Sequence, residues 1–305
     1  MSETTDVRVG VDLGGTGTRI VLVGSEGATV DRVSFATVAE RAVAVPSLVS
    51  AIRTLLAGRT PVSIGIGASG PVDRCGVIRN PATLPGFSGA DLEGELGDAF
   101  DVPVSIDNDA VTAAIYEQRL GEAVGAAGTL MVTLGTGVGV AALDRGRPIR
   151  GTDGEHPEAG HRLVAEPTPP CYCGRSACWE QAVSRTALQA AAEEVCGPGA
   201  ADALAELASR ARGGQEQALS VFESFGNALG AGLADLQTVV RANVIVIGGS
   251  VAQFDDLLHE AAQRAYTRID TYAPVPEIRF SRAGDVGGAI GAAFLEPRWY
   301  RPATG

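Results

Sequence analysis

V-G-V-D-L-G-G-T-G-T-R-I-V-L-V, from Val9 to Val23, is answered more than 100 residues later by L-M-V-T-L-G-T-G-V-G-V-A-A-L, from Leu130 to Leu143. Each copy reads as an apolar strand, a glycine turn and a second strand, the pattern of a hairpin. A repeated strand-turn-strand at this separation implies two related halves of an α/β fold. Glycine lets backbone N–H groups converge on an anion without interference from Cβ. Each half is therefore expected to give one phosphate-binding turn to a shared cleft: Gly14, Gly15 and Thr16 from the first, Gly135, Thr136 and Gly137 from the second. Asp12 stands at the mouth of the first turn. A carboxylate beside a phosphate is repulsive unless a divalent cation lies between, which points to Mg²⁺. Taken singly, either turn is equally an ordinary tight turn; two in matched positions carry the reading. A third glycine turn, Gly248-Gly249, ends the apolar strand Val244 to Ile247.

Between the two copies the sequence predicts a strand from Ala28 to Phe35 and a helix from Pro46 to Leu56 with an apolar stripe. A buried strand from Pro61 to Ala68 leads to Gly70, and a Pro/Gly-rich loop from Pro81 to Gly89, containing Gly86, is expected to line a site. The run V-P-V-S-I-D-N-D-A then puts Asp107, Asn108 and Asp109 at a strand's carboxyl end and a helix's amino end. Open α/β sheets place their chemistry there. Capping a helix takes one Asp or Asn; three together point to catalysis. After the second copy, helices are expected over Ser184 to Val195, Ala200 to Arg212, Gln215 to Val240 and Ala283 to Phe294, followed by a tail. His259 reads as part of a solvated face, and Cys75 and Cys196 as unpaired packing residues.

Two of the three histidines and three of the five cysteines fall between Glu155 and Glu180. His161, Cys171, Cys173 and Cys178 offer one imidazole and three thiolates, a set suited to tetrahedral Zn²⁺. Pro167, Pro169, Pro170 and Gly174 lie among them, leaving little to bury, so a metal bond worth roughly 10 kcal/mol or more would order the loop. A disulfide is disfavoured because nothing places the chain in an oxidising compartment.

At 305 residues the chain exceeds the size of one core, so two domains are expected. With 45% hydrophobic residues, no charged-then-apolar leader and no long apolar run, it reads as soluble and cytoplasmic. A net charge of −12 disfavours nucleic acid and anionic membrane as partners. All 24 basic residues are Arg, and the absence of Lys excludes both a Walker-type phosphate loop and Schiff-base chemistry.

D-L-G-G-T at Asp12, G-I-G-A-S-G at Gly65, L-P-G-F at Leu84, D-N-D-A at Asp107, L-G-T-G-V-G at Leu134, P-E-A-G-H at Pro157, C-Y-C-G-R-S-A-C-W-E at Cys171 and V-I-G-G-S at Val246 together resemble the ROK family of sugar kinases and repressors. The resemblance spans nearly the whole chain, and the histidine and three-cysteine set is its most specific part. It implies an actin-like, ribonuclease H-like duplicated fold with a cleft between domains. The expected division is 1–110, joined by the helix at about 285–305, and 111–284 with the zinc loop. It also implies a homodimer or homotetramer that phosphorylates a hexose from Mg·ATP, with glucose favoured.

By the same resemblance Asp109 is the general base and Asn108 its sugar-binding neighbour. Glu158 and Glu180 bind sugar hydroxyls, with Gly70 and Gly86 beside them, while His161 serves both zinc and sugar. Gly248 and Gly249 form the adenosine-side turn. Gly17, where many relatives have Lys, Thr83, and the His156-Pro157 pair depart from the usual pattern and leave the sugar open. Fructose, mannose, N-acetylmannosamine and N-acetylglucosamine kinases are the alternatives. A sugar-responsive repressor would need a helix-turn-helix domain ahead of the first strand, which is expected by Val7. A non-catalytic sugar sensor would need to have lost the base or a phosphate turn. A polyphosphate-dependent enzyme fits poorly with so acidic a chain.

Overall fold

In the computed structural model the described residues are 6–164, 168–197, 202–270 and 272–296. In chain order the elements are β1 (Val7–Leu13), β2 (Gly17–Gly24), β3 (Thr29–Ala36), α1 (Arg41–Leu56), β4 (Pro61–Ala68), α2 (Leu92–Phe100), β5 (Val104–Asn108), α3 (Asp109–Arg119), β6 (Gly128–Leu134), β7 (Val138–Asp144) and the two-residue β8 (Arg147–Pro148). There follow α4 (Glu180–Val183), α5 (Arg185–Cys196), α6 (Ala203–Arg212), α7 (Glu216–Val240), β9 (Val244–Gly248), α8 (Asp255–Thr267), β10 (Glu277–Phe280) and α9 (Gly287–Ala292). The chain divides into unit 1, made of residues 1–124, 146–157 and 283–305, and unit 2, made of 125–145 and 158–282.

The duplication read from the two glycine turns is present in the sheets. Unit 1 orders its strands β3-β2-β1-β4-β5, and unit 2 carries β10-β9-β6-β7. β1 pairs antiparallel with β2 and parallel with β4, which pairs parallel with β5. β6 likewise pairs antiparallel with β7 and parallel with β9, which pairs parallel with β10. Both sheets are mixed, and their central strands are almost wholly buried, as parallel strands covered on both faces require. Each unit has its own apolar core. Leu13, Ile20, Leu48, Ile52 and Ile66 lie in that of unit 1, and Leu130, Leu188, Phe222, Leu233 and Ile245 in that of unit 2.

In unit 1, α9 is laid directly on the sheet and on α3. The approach depends on missing side chains: a Cβ on Gly65 of β4 would sit 1.7 Å from Ala292 O, and one on Gly10 of β1 would sit 1.9 Å from Ala289 O. Gly65→Ala must therefore push α9 off β4. A loss of about 3 kcal/mol is expected, read as a lower urea midpoint at unchanged slope.

Two helices depart from the sequence expectation. α1 starts at Arg41, and Pro46 lies inside it. The bond that Pro46 cannot donate would have gone to Ala42, in the first turn, and burial of Ala44 and Val45 offsets the loss. The closing helix is shorter than Ala283 to Phe294, because Gly284 has a φ of +64° and cannot be helical. Its end is tightened by Phe294 and Leu295 N–H groups donating three residues back, to Gly291 and Ala292. The tail beyond Glu296, the helix start expected at Ala200 and Pro167 lie outside the described residues. No helix among the described residues is long and apolar enough to cross a membrane.

Candidate functional site

The three polar residues at the β5–α3 junction separate into three jobs. Asp107 is 3% exposed, and both its oxygens are engaged: Oδ1 accepts Asn108 N–H at 2.8 Å and Arg150 Nη1 at 3.2 Å, and Oδ2 accepts Arg150 Nη2. Asn108 is the N-cap of α3, its Oδ1 accepting Ala110 N–H at 2.8 Å while its Nδ2 donates to Gly70 O at 3.0 Å. Asp109 is the first residue of the helix and half-buried, with one oxygen accepting Ala110 N–H at 2.9 Å. Asp107 is thus enclosed, whereas Asp109 is only half-buried.

The glycine turns are braced in parallel ways. In unit 1, Gly14 N–H donates to Gly17 O at 3.0 Å, and Thr37 holds the turn by donating from Oγ1 to Gly14 O at 2.6 Å. In unit 2, Gly135 N–H donates to Gly137 O at 3.0 Å, and the start of α5 holds it through Arg185 N–H to Gly135 O and Thr186 Oγ1 to Thr136 O, both at 2.8 Å. The first glycine of each turn thus uses its N–H to close the turn, and a phosphate would be met by the exposed tips, Gly15-Thr16 and Thr136. Gly249 abuts Leu134, the last residue before the second turn: a Cβ on Gly249, whose φ is +78°, would lie 2.4 Å from Leu134 O, whereas one on Gly248 would meet the side chain of Met131. Gly86, by contrast, packs against backbone, 2.4 Å from Val38 O at the position of a Cβ.

Asp12 lies opposite Arg19 across the β1–β2 ladder, and its Oδ2 accepts Arg19 Nη1 at 3.2 Å. Burial raises the Asp12 pKa against the lowering pull of Arg19. A carboxylate beside a glycine turn is a fit donor for Mg²⁺, which takes one or two such oxygens and keeps its waters.

In unit 2 the four candidate metal ligands are assembled. The nitrogen of His161 and the sulfurs of Cys171, Cys173 and Cys178 all lie within 4.8 Å of one another. Cys171 Sγ is 3.5 Å from His161 Nδ1, and Cys173 Sγ is 3.6 Å from Cys178 Sγ. Zinc bonds to sulfur of about 2.3 Å set tetrahedral edges of about 3.8 Å, so the set fits the ion with small adjustments. The loop is closed by a bridge of Leu163 to Cys178 and by Val164 N–H to Ala177 O at 2.8 Å. Its far end is pinned by Trp179, fully buried, whose Nε1 donates to Ala228 O at 3.0 Å. Glu158 is exposed and opens the short 3-10 turn Ala159–His161. Glu180 is 4% exposed; its Oε2 accepts Val138 N–H at 3.0 Å and its Oε1 faces Cys171 Sγ at 3.8 Å. Glu180 therefore joins the second glycine turn to the metal loop.

Two residues escaped the sequence reading. Arg150 meets Asp107 across 43 residues of chain, and no spacing rule points to it. Tyr172, between Cys171 and Cys173, sets its hydroxyl 3.1 Å from His161 Nε2. Cys75, expected to pack, is exposed on a turn in which its N–H donates to Asp73 Oδ1 at 2.8 Å. Cys196 is half-buried, and His259 is exposed as expected.

A model of the ROK family matches residues 8–298. The glucokinase of Streptomyces coelicolor is 28% identical, over 94% of this chain and 96% of that protein. The N-acetyl-D-glucosamine kinase of Pectobacterium carotovorum is 31% identical over 76% and 79%. A crystal structure of a ROK family glucokinase from Streptomyces griseus in complex with glucose and AMPPNP superposes with a TM-score of 0.80 at 28% identity, covering 94% of this chain and 98% of that one. The two mixed sheets and their helices are the actin-like, ribonuclease H-like architecture of the sugar kinases. The chain belongs to the ROK family.

Proposed function

We propose that this protein is an ATP-dependent hexose kinase that converts glucose to glucose 6-phosphate, with Asp109 as general base. The observation that carries the reading is the division of labour at the β5–α3 junction: Asp107 is locked by Arg150, Asn108 caps the helix, and Asp109 is half-buried at the first position of α3. A sugar hydroxyl has a pKa far above neutrality, so a carboxylate that accepts its proton as the P–O bond forms serves the transfer directly. Phosphoryl transfer otherwise needs position and charge neutralisation. On this reading the tips of the two glycine turns hold phosphate oxygens, Gly248 and Gly249 border the adenosine, and Asp12 holds Mg²⁺, which supplies charge neutralisation when bound. Asn108, Glu158, His161 and Glu180 orient the sugar. Four protein ligands leave Zn²⁺ no open position, so it orders the loop without activating water.

The likeness to an N-acetyl-D-glucosamine kinase, over three-quarters of the chain, supports a second reading in which that amino sugar is the substrate. ADP release measured across a panel of monosaccharides decides between them. Fastest turnover with glucose, and none with 6-deoxyglucose, is the expected result. No ADP release with any sugar would overturn the kinase reading, and preference for the acetylated sugar would favour the second.

A further inference from the structure

The ion pair of Arg150 and Asp107 is enclosed, with side chains 14% and 4% exposed. The guanidinium meets the carboxylate as a fork, Nη1 to Oδ1 and Nη2 to Oδ2, and Nη1 also donates to Gly154 O at 3.2 Å. Buried His156 stands beside both charges. Desolvation, aided by Arg150 and opposed by Asp107, brings its pKa down to about 4, so it adds no second cation at neutral pH. Removing two charges from water costs about what their attraction returns, so such a pair is poor evidence of stabilisation.

Its position is more telling. Asp107 Oδ1, which Arg150 holds, accepts the N–H of Asn108 at 2.8 Å. Asn108 Oδ1 accepts Ala110 N–H at 2.8 Å, and the same N–H is within 2.9 Å of Asp109 Oδ1. Arg150, from a segment 43 residues downstream, is thus linked to the proposed base through Asp107, the covalent frame of Asn108 and the Ala110 N–H that Asn108 and Asp109 share. Only Arg fits this role well. Its planar fork fixes both oxygens of a carboxylate, whereas an ammonium fixes one point.

We propose that Arg150 is a positioning residue for phosphoryl transfer: by clamping Asp107 it sets the backbone at Asn108 and hence the aim of the Asp109 carboxylate, a role that rests on the kinase reading above. The test uses the full chain carrying Arg150→Met or Arg150→Lys, or Asp107→Asn together with Arg150→Gln as a neutral replacement for the pair. Arg150→Met is expected to lower kcat on the order of 10²-fold, with KM for sugar and ATP within about threefold of the parent, as a small misplacement of a reacting group does. Arg150→Lys should recover about a tenth or more of the parental rate, since it returns the charge without the fork. Amide hydrogen exchange supplies a readout that needs no turnover. In Arg150→Met, Asn108 and Ala110 should exchange about tenfold faster or more, while the amides of β4 keep their protection. A parent chain that phosphorylates no sugar would sink the kinase reading and leave the exchange result to judge the clamp. If Arg150→Met does not fold, the neutral pair carries the test, with the same loss of kcat at nearly constant KM expected. A folded variant whose kcat stays within about twofold of the parent, or unchanged exchange at Asn108 and Ala110, overturns the proposal.

Discussion

Asp109→Asn is expected to lower kcat by about 10³-fold, within the range that general-base removal spans and equivalent to about 4 kcal/mol of barrier. The replacement keeps the size and the hydrogen-bonding shape of the side chain, so the helix start and the sugar contacts persist. Only the ability to take a proton is removed. Sugar affinity measured by calorimetry should therefore change less than about threefold, the signature of an interaction made in the transition state alone. Asp109 also donates backbone structure to α3 as its first residue, but its side chain is not the cap; Asn108 is. Thermal stability should accordingly stay close to that of the parent, which separates lost chemistry from lost fold.

Metal removal is the second large effect. One zinc ion per chain is expected by elemental analysis of the purified protein. Stripping it by chelation should lower kcat/KM for the sugar on the order of 10²-fold, because His161 and the neighbouring Glu158 and Glu180 lose their common anchor. The loop has two kinds of support, and they will separate on chelation. Trp179 is fully buried, and the core around it belongs to α7 and its neighbours, so unit 2 should keep its helical signal. The residues from Cys171 to Cys178 hold little apolar surface apart from exposed Tyr172, so this stretch should become the site of proteolytic cleavage. Full activity in protein shown to hold no metal would remove the structural-zinc proposal.

Much of this arrangement is legible in the sequence, and the reasons differ by residue. The duplicated strand-turn-strand is legible because glycine and β-branched residues have strong local preferences, and the sheets repeat the same pairing in both units. The set of one histidine and three cysteines is legible because chelating residues crowd a short stretch, and the four donors do converge. The start of α1 was missed because Pro46 looks like a helix beginning, whereas tertiary burial of Ala44 and Val45 carries the helix five residues further back. Arg150 was missed for a different reason. Its partner is set by how the segment 146–157 returns to unit 1, a long-range fact with no local signal. The three-residue cluster Asp107-Asn108-Asp109 shows the same limit: the sequence singles it out but does not say which carboxylate is engaged by Arg150.

Single-turnover transfer of the γ-phosphoryl group from ATP to glucose, with enzyme in excess and both substrates saturating, isolates the chemical step from product release. If the Asp109 carboxylate takes the hydroxyl proton, Asp109→Asn should form glucose 6-phosphate about 10³-fold more slowly than the parent. Transfer within about tenfold of the parental rate would place the proton acceptor elsewhere and contradict the assignment.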